Sequence, residues 1–147
     1  MRRPPRAPAE PLFSGPVTVW SLLQGIFAFG LVAGIYIMAF RRGMPENEAR
    51  ALAFFSLVTA VAALIFVNRS FSASVLTAIS RPNPALKFVL LTVAATLALT
   101  QAWPVARDLF RFGPLHADDL ALTLGAGTLV LCTLEFLKAA WHRQLRA

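Results

Sequence analysis

Four long apolar stretches, separated by short charged connectors, constrain the fold of this 147-residue chain more than any other feature. The first covers residues 17–40 and contains no charged side chain. As an α-helix it is about 36 Å long, against about 30 Å for the hydrocarbon core of a bilayer. The other stretches lie at approximately 50–68, 85–103 and 119–141. The pattern predicts an all-α fold, an integral membrane four-helix bundle.

The composition supports a membrane protein. Hydrophobic residues make up 57% of the chain and charged residues only 14%, whereas soluble domains carry about 25% charged residues. The single cysteine, Cys132, excludes an internal disulfide framework. The net charge of +7 is spread over the edges of the apolar stretches, as in loops beside a membrane. We therefore expect the lipid bilayer as a partner, and no nucleic acid.

The distribution of basic residues predicts the orientation in the membrane. Residues 1–16 form a Pro- and Arg-rich lead-in, expected in the cytoplasm. Four spans place this lead-in, the connector at 69–87 and the C-terminal tail on one side, with nine Lys and Arg residues against five on the other. Because cytoplasmic loops are enriched in Lys and Arg, both termini are predicted to be cytoplasmic. The uncharged segment 71–80 is too short to cross and is expected at the membrane surface.

Six short motifs occur in a fixed order along nearly the whole chain. They are RPPRAPAEPLFSG at 3–15, ARALAFFSLV at 49–58, VNRSFSAS at 67–74, RPNPAL at 81–86, LFRFGPLHADDL at 109–120 and LEFLKAAWHR at 134–143. Together they resemble the C-terminal membrane region of P-type cation-transporting ATPases, the last four helices, and most closely the bacterial calcium-pump-like branch. This resemblance implies a location in a bacterial plasma membrane.

The resemblance implies a supporting function. In that family these four helices pack against the six-helix core that carries and gates the ion, so the upstream transmembrane and cytoplasmic domains are expected partners. The phosphorylation motif and the nucleotide-binding domain lie upstream in the family, and ATP and Mg belong to the complete pump. We therefore expect no catalytic residue, cofactor-binding residue or metal ligand in this chain, and no catalysis by it alone. A fragment, a split subunit and an independent protein all remain open.

One ion ligand of the family can be examined directly. In calcium pumps of this branch, the second of these four helices carries a glutamate two residues after an LVT string. Here Leu57, Val58 and Thr59 are followed by Ala60 and then Val61, whose side chain has no oxygen. Calcium requires six to eight oxygen ligands, so this departure leaves the transported cation open.

Three polar side chains inside the spans are weak candidates for polar intramembrane contacts: Gln24, Asn68 and Glu135. For Gln24 an interhelical hydrogen bond is favoured over coordination of an ion. Asn68 is expected at an elbow on the cytoplasmic membrane face. Glu135 stands three residues before Lys138, so an interfacial ion pair is favoured over a role as transport ligand. Lys138 is expected to extend towards the lipid headgroups.

Other notable residues have structural interpretations. His116, Asp118 and Asp119 precede a span and are interpreted as helix caps, with a metal site as the alternative. Gly30 and Gly34 predict close helix packing, and Cys132 is expected to be buried. The three tryptophans at the span ends are typical of an interfacial aromatic belt: Trp20, Trp103 and Trp141.

Two further functions compete with the pump module. A self-standing four-helix transporter would fit the size of the chain, but it needs a coupling carboxylate deep in the bilayer, and Glu135 lies near a span end. A membrane regulator that binds a complete pump is the other alternative.

Overall fold

A computed structural model of the chain describes residues 15–69 and 84–144 and shows five helices there. These are α1 (Gly15–Arg41), α2 (Glu46–Arg69), α3 (Pro84–Ala102), α4 (Pro104–Phe110) and α5 (Ala117–Gln144). The four long helices, α1, α2, α3 and α5, are each long and apolar enough to cross a membrane. No strand occurs within the described ranges, and the all-α prediction is confirmed. Residues 1–14 of the lead-in and the segment 71–80 lie outside those ranges.

A tight turn joins α1 to α2. Gly43 has a φ of 76°, in the left-handed region that favours glycine. The N–H of Met44 donates to the Ala39 carbonyl at 3.2 Å and the N–H of Gly43 to the Phe40 carbonyl at 3.1 Å. These bonds use carbonyls that the end of α1 would otherwise leave unpaired. The chain therefore reverses within a few residues, and α2 begins earlier than the sequence pattern predicted.

The core is a unit of three helices, α1, α2 and α5, in which α2 packs against both of the others. One cluster of buried side chains lies towards the end of α2. It consists of Ala28, Ala60, Ala63, Val67, Val130 and Leu134. A second lies towards its start and includes Ile35, Leu52 and Ala126. Alanine is frequent in both clusters, which lets the three helix backbones approach closely.

The contacts between α2 and α5 show that these two helices run parallel. Gly113, just before α5, meets Asn47 near the start of α2, and Lys138 meets Val67 near its end. Since α2 finishes at one face of the bundle and α5 starts at the other, the chain has to cross back between them. α3 makes that return.

α3 packs little against the other helices. Only 6% of its membrane-crossing segment is buried, compared with 39% for α2. An apolar groove separates it from α2. The groove is lined by Leu57, Val61 and Ile65 of α2 and by Val89, Leu90 and Val93 of α3. Within the described residues, the contacts of α3 are chiefly with α4.

The short helix α4 was not predicted by the sequence pattern, which indicated a polar connector at 105–119. Trp103 interrupts the chain in an extended conformation, and Pro104 then occupies the first turn of the new helix. Proline suits that position because it has no N–H to leave unpaired. At the other end Arg111 adopts a left-handed conformation with φ 52°, and the following Phe112 N–H donates to the Arg107 carbonyl at 2.9 Å.

Candidate functional site: polar contacts at the two ends of the bundle

Two of the three predicted polar side chains contact each other. The Nε2 atom of Gln24 on α1 donates a hydrogen bond of 3.1 Å to Oδ1 of Asn68 on α2, 44 positions away in the sequence. Gln24 is buried, with 4% of its surface exposed. In hydrocarbon an unpaired amide would be costly, so this bond favours one rotation of α1 against α2.

The third predicted side chain, Glu135, pairs with Lys138 on the same face of α5. Lys138 Nζ lies 3.2 Å from Glu135 Oε1, as the sequence spacing indicated. The prediction that Lys138 extends to the headgroups is wrong, because this residue is only 7% exposed. Its Nζ instead donates to the backbone carbonyl of Val67 on α2 at 3.4 Å.

This second contact, from Lys138 to the Val67 carbonyl, lies at the end of α2. Val67 lies in the last turn of α2, where the carbonyl groups carry the negative end of the helix dipole. A buried ammonium group from α5 therefore suits the position in both hydrogen bonding and charge. We call Gln24, Asn68, Val67, Glu135 and Lys138 the polar clasp. It joins α1, α2 and α5 at one end of the bundle.

The middle of the α2–α5 interface holds a different kind of contact. Thr59 Oγ1 on α2 lies 3.0 Å from the carbonyl oxygen of Thr123 on α5, within donating distance, and is also near two carbonyls of its own helix. One turn further along α5, a Cβ on Gly127 would lie 3.1 Å from the Thr59 carbonyl oxygen and 3.2 Å from its Cβ. Only glycine allows the two backbones to come this close without displacement.

The opposite end of the bundle is organised by hydrogen bonds to backbone groups. The N–H of His116, which precedes α5, donates to Asp119 Oδ2 at 3.0 Å. This is one half of a capping box, so Asp119 caps α5 in accordance with the structural interpretation. The His116 Nδ1 atom is 3.6 Å from the same carboxylate oxygen. No group of three His, Cys, Asp or Glu side chains suited to a metal ion occurs in the part of the chain described.

A second set of contacts at this end fixes α3 and the connector. Arg107 Nη2 on α4 donates to the Gln101 carbonyl at the end of α3. The side-chain Oε1 of Gln101 accepts from the Leu115 N–H at 3.2 Å. The N–H of Gly113 donates to the Asn47 carbonyl at 2.9 Å, and a Cβ at Gly113 would overlap Glu48 at 2.4 Å. The connector therefore packs against the first turn of α2.

Several sequence expectations are corrected by the structure. Trp20 is buried, with 8% exposed, so it does not belong to a lipid-facing belt. Cys132 is exposed, not buried. Gly30 and Gly34 pack against no other helix of the described residues, since no atom lies within 4 Å of a Cβ built at either position. In each case the rotation of the helix about its axis, which residue type and span position do not determine, decides which side chains face the bundle.

Val61 also faces outward. Its side chain is 47% exposed and lines the groove between α2 and α3, away from the three-helix core. Glu135 of α5 pairs with the ammonium group of Lys138 on the same helix.

Sequence analysis missed two of the contacts that bring α2 and α5 together. The Gly127–Thr59 approach could have been suspected from the small-residue run LGAGT in the fourth span, which was not weighed. The bond from Lys138 to the Val67 carbonyl has no sequence signal, because its acceptor is a backbone group.

The comparison with known families agrees with this arrangement. Residues 1–140 match the family described as "Cation transporting ATPase, C-terminus". The chain belongs to this family. It is therefore the C-terminal transmembrane part of a P-type cation ATPase and an integral membrane protein. A search of curated proteins found no match.

Proposed function

We propose that this chain supports and anchors the ion-transporting helices of a cation pump, while the ATP- and Mg-dependent chemistry takes place on upstream domains. The polar clasp is the observation that carries the proposal. In it, Lys138 of α5 donates to the Val67 carbonyl of α2 and pairs with Glu135 of its own helix. A support module needs contacts of this kind between its helices. A transporter needs side chains near the bilayer centre that can bind and release an ion.

The exposed faces of the bundle provide the surface for the upstream helices. On α1, Leu22, Ile26 and Phe29 are between 62% and 73% exposed. Gly30 adjoins them, and there is open space around its Cα. Such a face lets a further helix approach closely. We propose that the upstream transmembrane helices pack along this side of α1 and along the groove at Val61.

The identity of the cation is a separate question. The position that carries a ligand glutamate in the calcium-pump-like branch is Val61 here, and its side chain faces the groove. We propose that the pump belongs to that bacterial branch but that this helix supplies no carboxylate to the cation. Introducing Val61→Glu in the complete pump should alter the cation dependence of transport, whereas Leu57→Glu, in the same groove, should only impair folding.

The orientation is proposed from charge. The nine-to-five excess of Lys and Arg favours both termini on the cytoplasmic side of a bacterial plasma membrane. The polar clasp would then lie at the cytoplasmic end and α4 at the outer face. Cysteines introduced at Arg42 and Asp108 in a Cys132→Ser background should react with an impermeant maleimide in intact cells. Labelling only after lysis would contradict this orientation.

Complementation in trans tests the support function. A homologous pump truncated before its last four helices should regain ATP-driven cation uptake when this chain is co-expressed. The Gly127→Leu variant, with the α2–α5 contact disrupted, should restore less, whereas Gly125→Leu, at an exposed position of the same helix with open space around its Cα, should restore as much as the unchanged chain. No restoration by a chain that inserts and folds would contradict the proposal.

The self-standing transporter and the regulator give different outcomes. The purified chain in vesicles should show no cation flux above empty vesicles and no phosphate release from ATP. Flux by the chain alone would favour the transporter. An effect only on an intact pump, without rescue of the truncated one, would favour the regulator.

A further inference from the structure

The position of α4 relative to a membrane follows from the length of α3. With 19 residues, α3 is about 28 Å long, close to the thickness of the hydrocarbon core. α4 begins at Pro104, two positions after α3 ends at Ala102. If α3 spans the bilayer, α4 has to lie at the boundary between hydrocarbon and headgroups.

One edge of α4 is apolar and uncovered. Val105 and Leu109, one helical turn apart, are 63% and 78% exposed. Trp103, immediately before the helix, is 52% exposed, and so is Leu99 in the last turn of α3, at 53%. Exposed apolar side chains therefore follow one another from the last turn of α3 into α4.

The other side of α4 is fixed to the protein. Ala106 is buried, and Arg107 Nη2 donates to the Gln101 carbonyl. Just beyond the helix, the buried ring of Phe112 lies 5.2 Å from the ring of Phe54 on α2, measured between centroids. These contacts hold α4 in one rotational setting, so the direction of the Val105–Leu109 edge is determined by the fold.

We propose that α4 is an interfacial membrane anchor, with Val105 and Leu109 inserted among the lipids of the leaflet where α3 ends. The continuity with the exposed face of α3 identifies lipid as the occupant. Asp108, on the neighbouring position of the helix, is exposed and can remain in water. Helices with one apolar and one charged face lie in the interface in this way.

The anchor has a structural purpose. α3 packs little against the rest of the bundle, and at this end it is held through the Gln101 contacts with Arg107 and Leu115. Inserting α4 in the interface fixes the depth of the end of α3 and opposes its sliding along the bilayer normal. The inference requires only membrane insertion and does not depend on the pump function proposed above.

Spin labelling of the full chain tests the anchor. Leu109→Cys and Asp108→Cys are made separately in a Cys132→Ser background, labelled, and reconstituted in vesicles of phosphatidylethanolamine and phosphatidylglycerol. The label at position 109 should collide several-fold more with oxygen, relative to a water-soluble nickel complex, than the label at 108. Equal nickel accessibility at both positions would overturn the proposal. Protection of the 109 label from both reagents would also overturn it, since protein would then cover the edge.

A second measurement addresses depth. A label at Leu99 reports the position of the end of α3, and the double variant Val105→Asn, Leu109→Asn removes the apolar edge. The label should move to a shallower or more variable depth, while Leu22→Asn on α1 should leave it unchanged. Circular dichroism confirms that each variant is helical. An unchanged depth in a helical double variant would overturn the anchoring role.

Discussion

The three-helix unit of α1, α2 and α5 differs sharply from α3, although all four helices are apolar enough to span a membrane. In the unit, the polar clasp and the Gly127–Thr59 contact join neighbouring backbones. α3 is also apolar enough to span a membrane, but an apolar groove separates it from α2. Similar composition has therefore produced two different degrees of packing.

The difference shows what drives association inside a bilayer. Lipid tails are as apolar as leucine, so burying an apolar side chain against protein gains little over leaving it in lipid. Close packing at small residues and hydrogen bonds between helices supply the preference instead. Both features are found between α2 and α5, and neither is present in the groove between α2 and α3.

The largest expected effect comes from wedging the two parallel helices apart. Gly127→Leu should lower the free energy of unfolding by about 3 kcal/mol, because the added side chain enters space occupied by Thr59. Unfolding is followed by circular dichroism in dodecylmaltoside micelles with increasing dodecyl sulfate. Gly30→Leu on α1, with open space around its Cα, should be nearly neutral. Equal losses for both would remove the distinction between packed and open glycines.

Truncating a core side chain of the three-helix unit should lower the free energy of unfolding by about 2 kcal/mol more than truncating an exposed side chain of α3. Leu134→Ala, at a fully buried position of α5, leaves a cavity that lipid does not fill. Leu91→Ala on α3, at a residue 70% exposed, leaves none. The same titration compares the two variants. A comparable loss for Leu91→Ala would show that α3 is packed in the bilayer as tightly as the other helices.

Loss of the ammonium group of the polar clasp should lower the free energy of unfolding by less, about 1.5 kcal/mol. Lys138→Met removes the donor to the Val67 carbonyl and the ion pair with Glu135. Lys87→Met, at an exposed position of α3, is the matched control. If Glu135→Gln in the Lys138→Met background restores stability, the main cost is the lost ion pair; if not, the loss comes from the end of α2.

The smallest effect is expected for the bond between α1 and α2. A double-mutant cycle of Gln24→Leu and Asn68→Leu should give a coupling energy of about 0.6 kcal/mol, the average for such bonds in membrane proteins. A cycle that pairs Gln24→Leu with Ser56→Ala should give none, because no bond joins these two residues. A coupling near zero for the first pair would mean that Gln24 has other partners in the bilayer.

The sequence indicated most residues of the polar clasp but not which of them contact each other. Gln24, Asn68 and Glu135 stood out because polar groups are rare in apolar spans, and the spacing of Glu135 and Lys138 indicated their ion pair. That Gln24 meets Asn68 depends on how two helices are rotated and shifted against each other. The same unknown rotation explains why Trp20 was expected in lipid and Cys132 in the core.

By itself the sequence determined that the chain is helical, crosses a membrane four times and belongs among the cation-transporting ATPases. Insertion depends on the summed hydropathy of each segment, and family membership on residues in order along the chain. Only the tertiary structure decided that α2 and α5 are parallel partners, that α3 packs apart from them and that α4 presents an apolar edge. In a bilayer these choices rest on backbone approach at small residues and on bonds to backbone carbonyls, and neither depends on the apolar character that the four spans share.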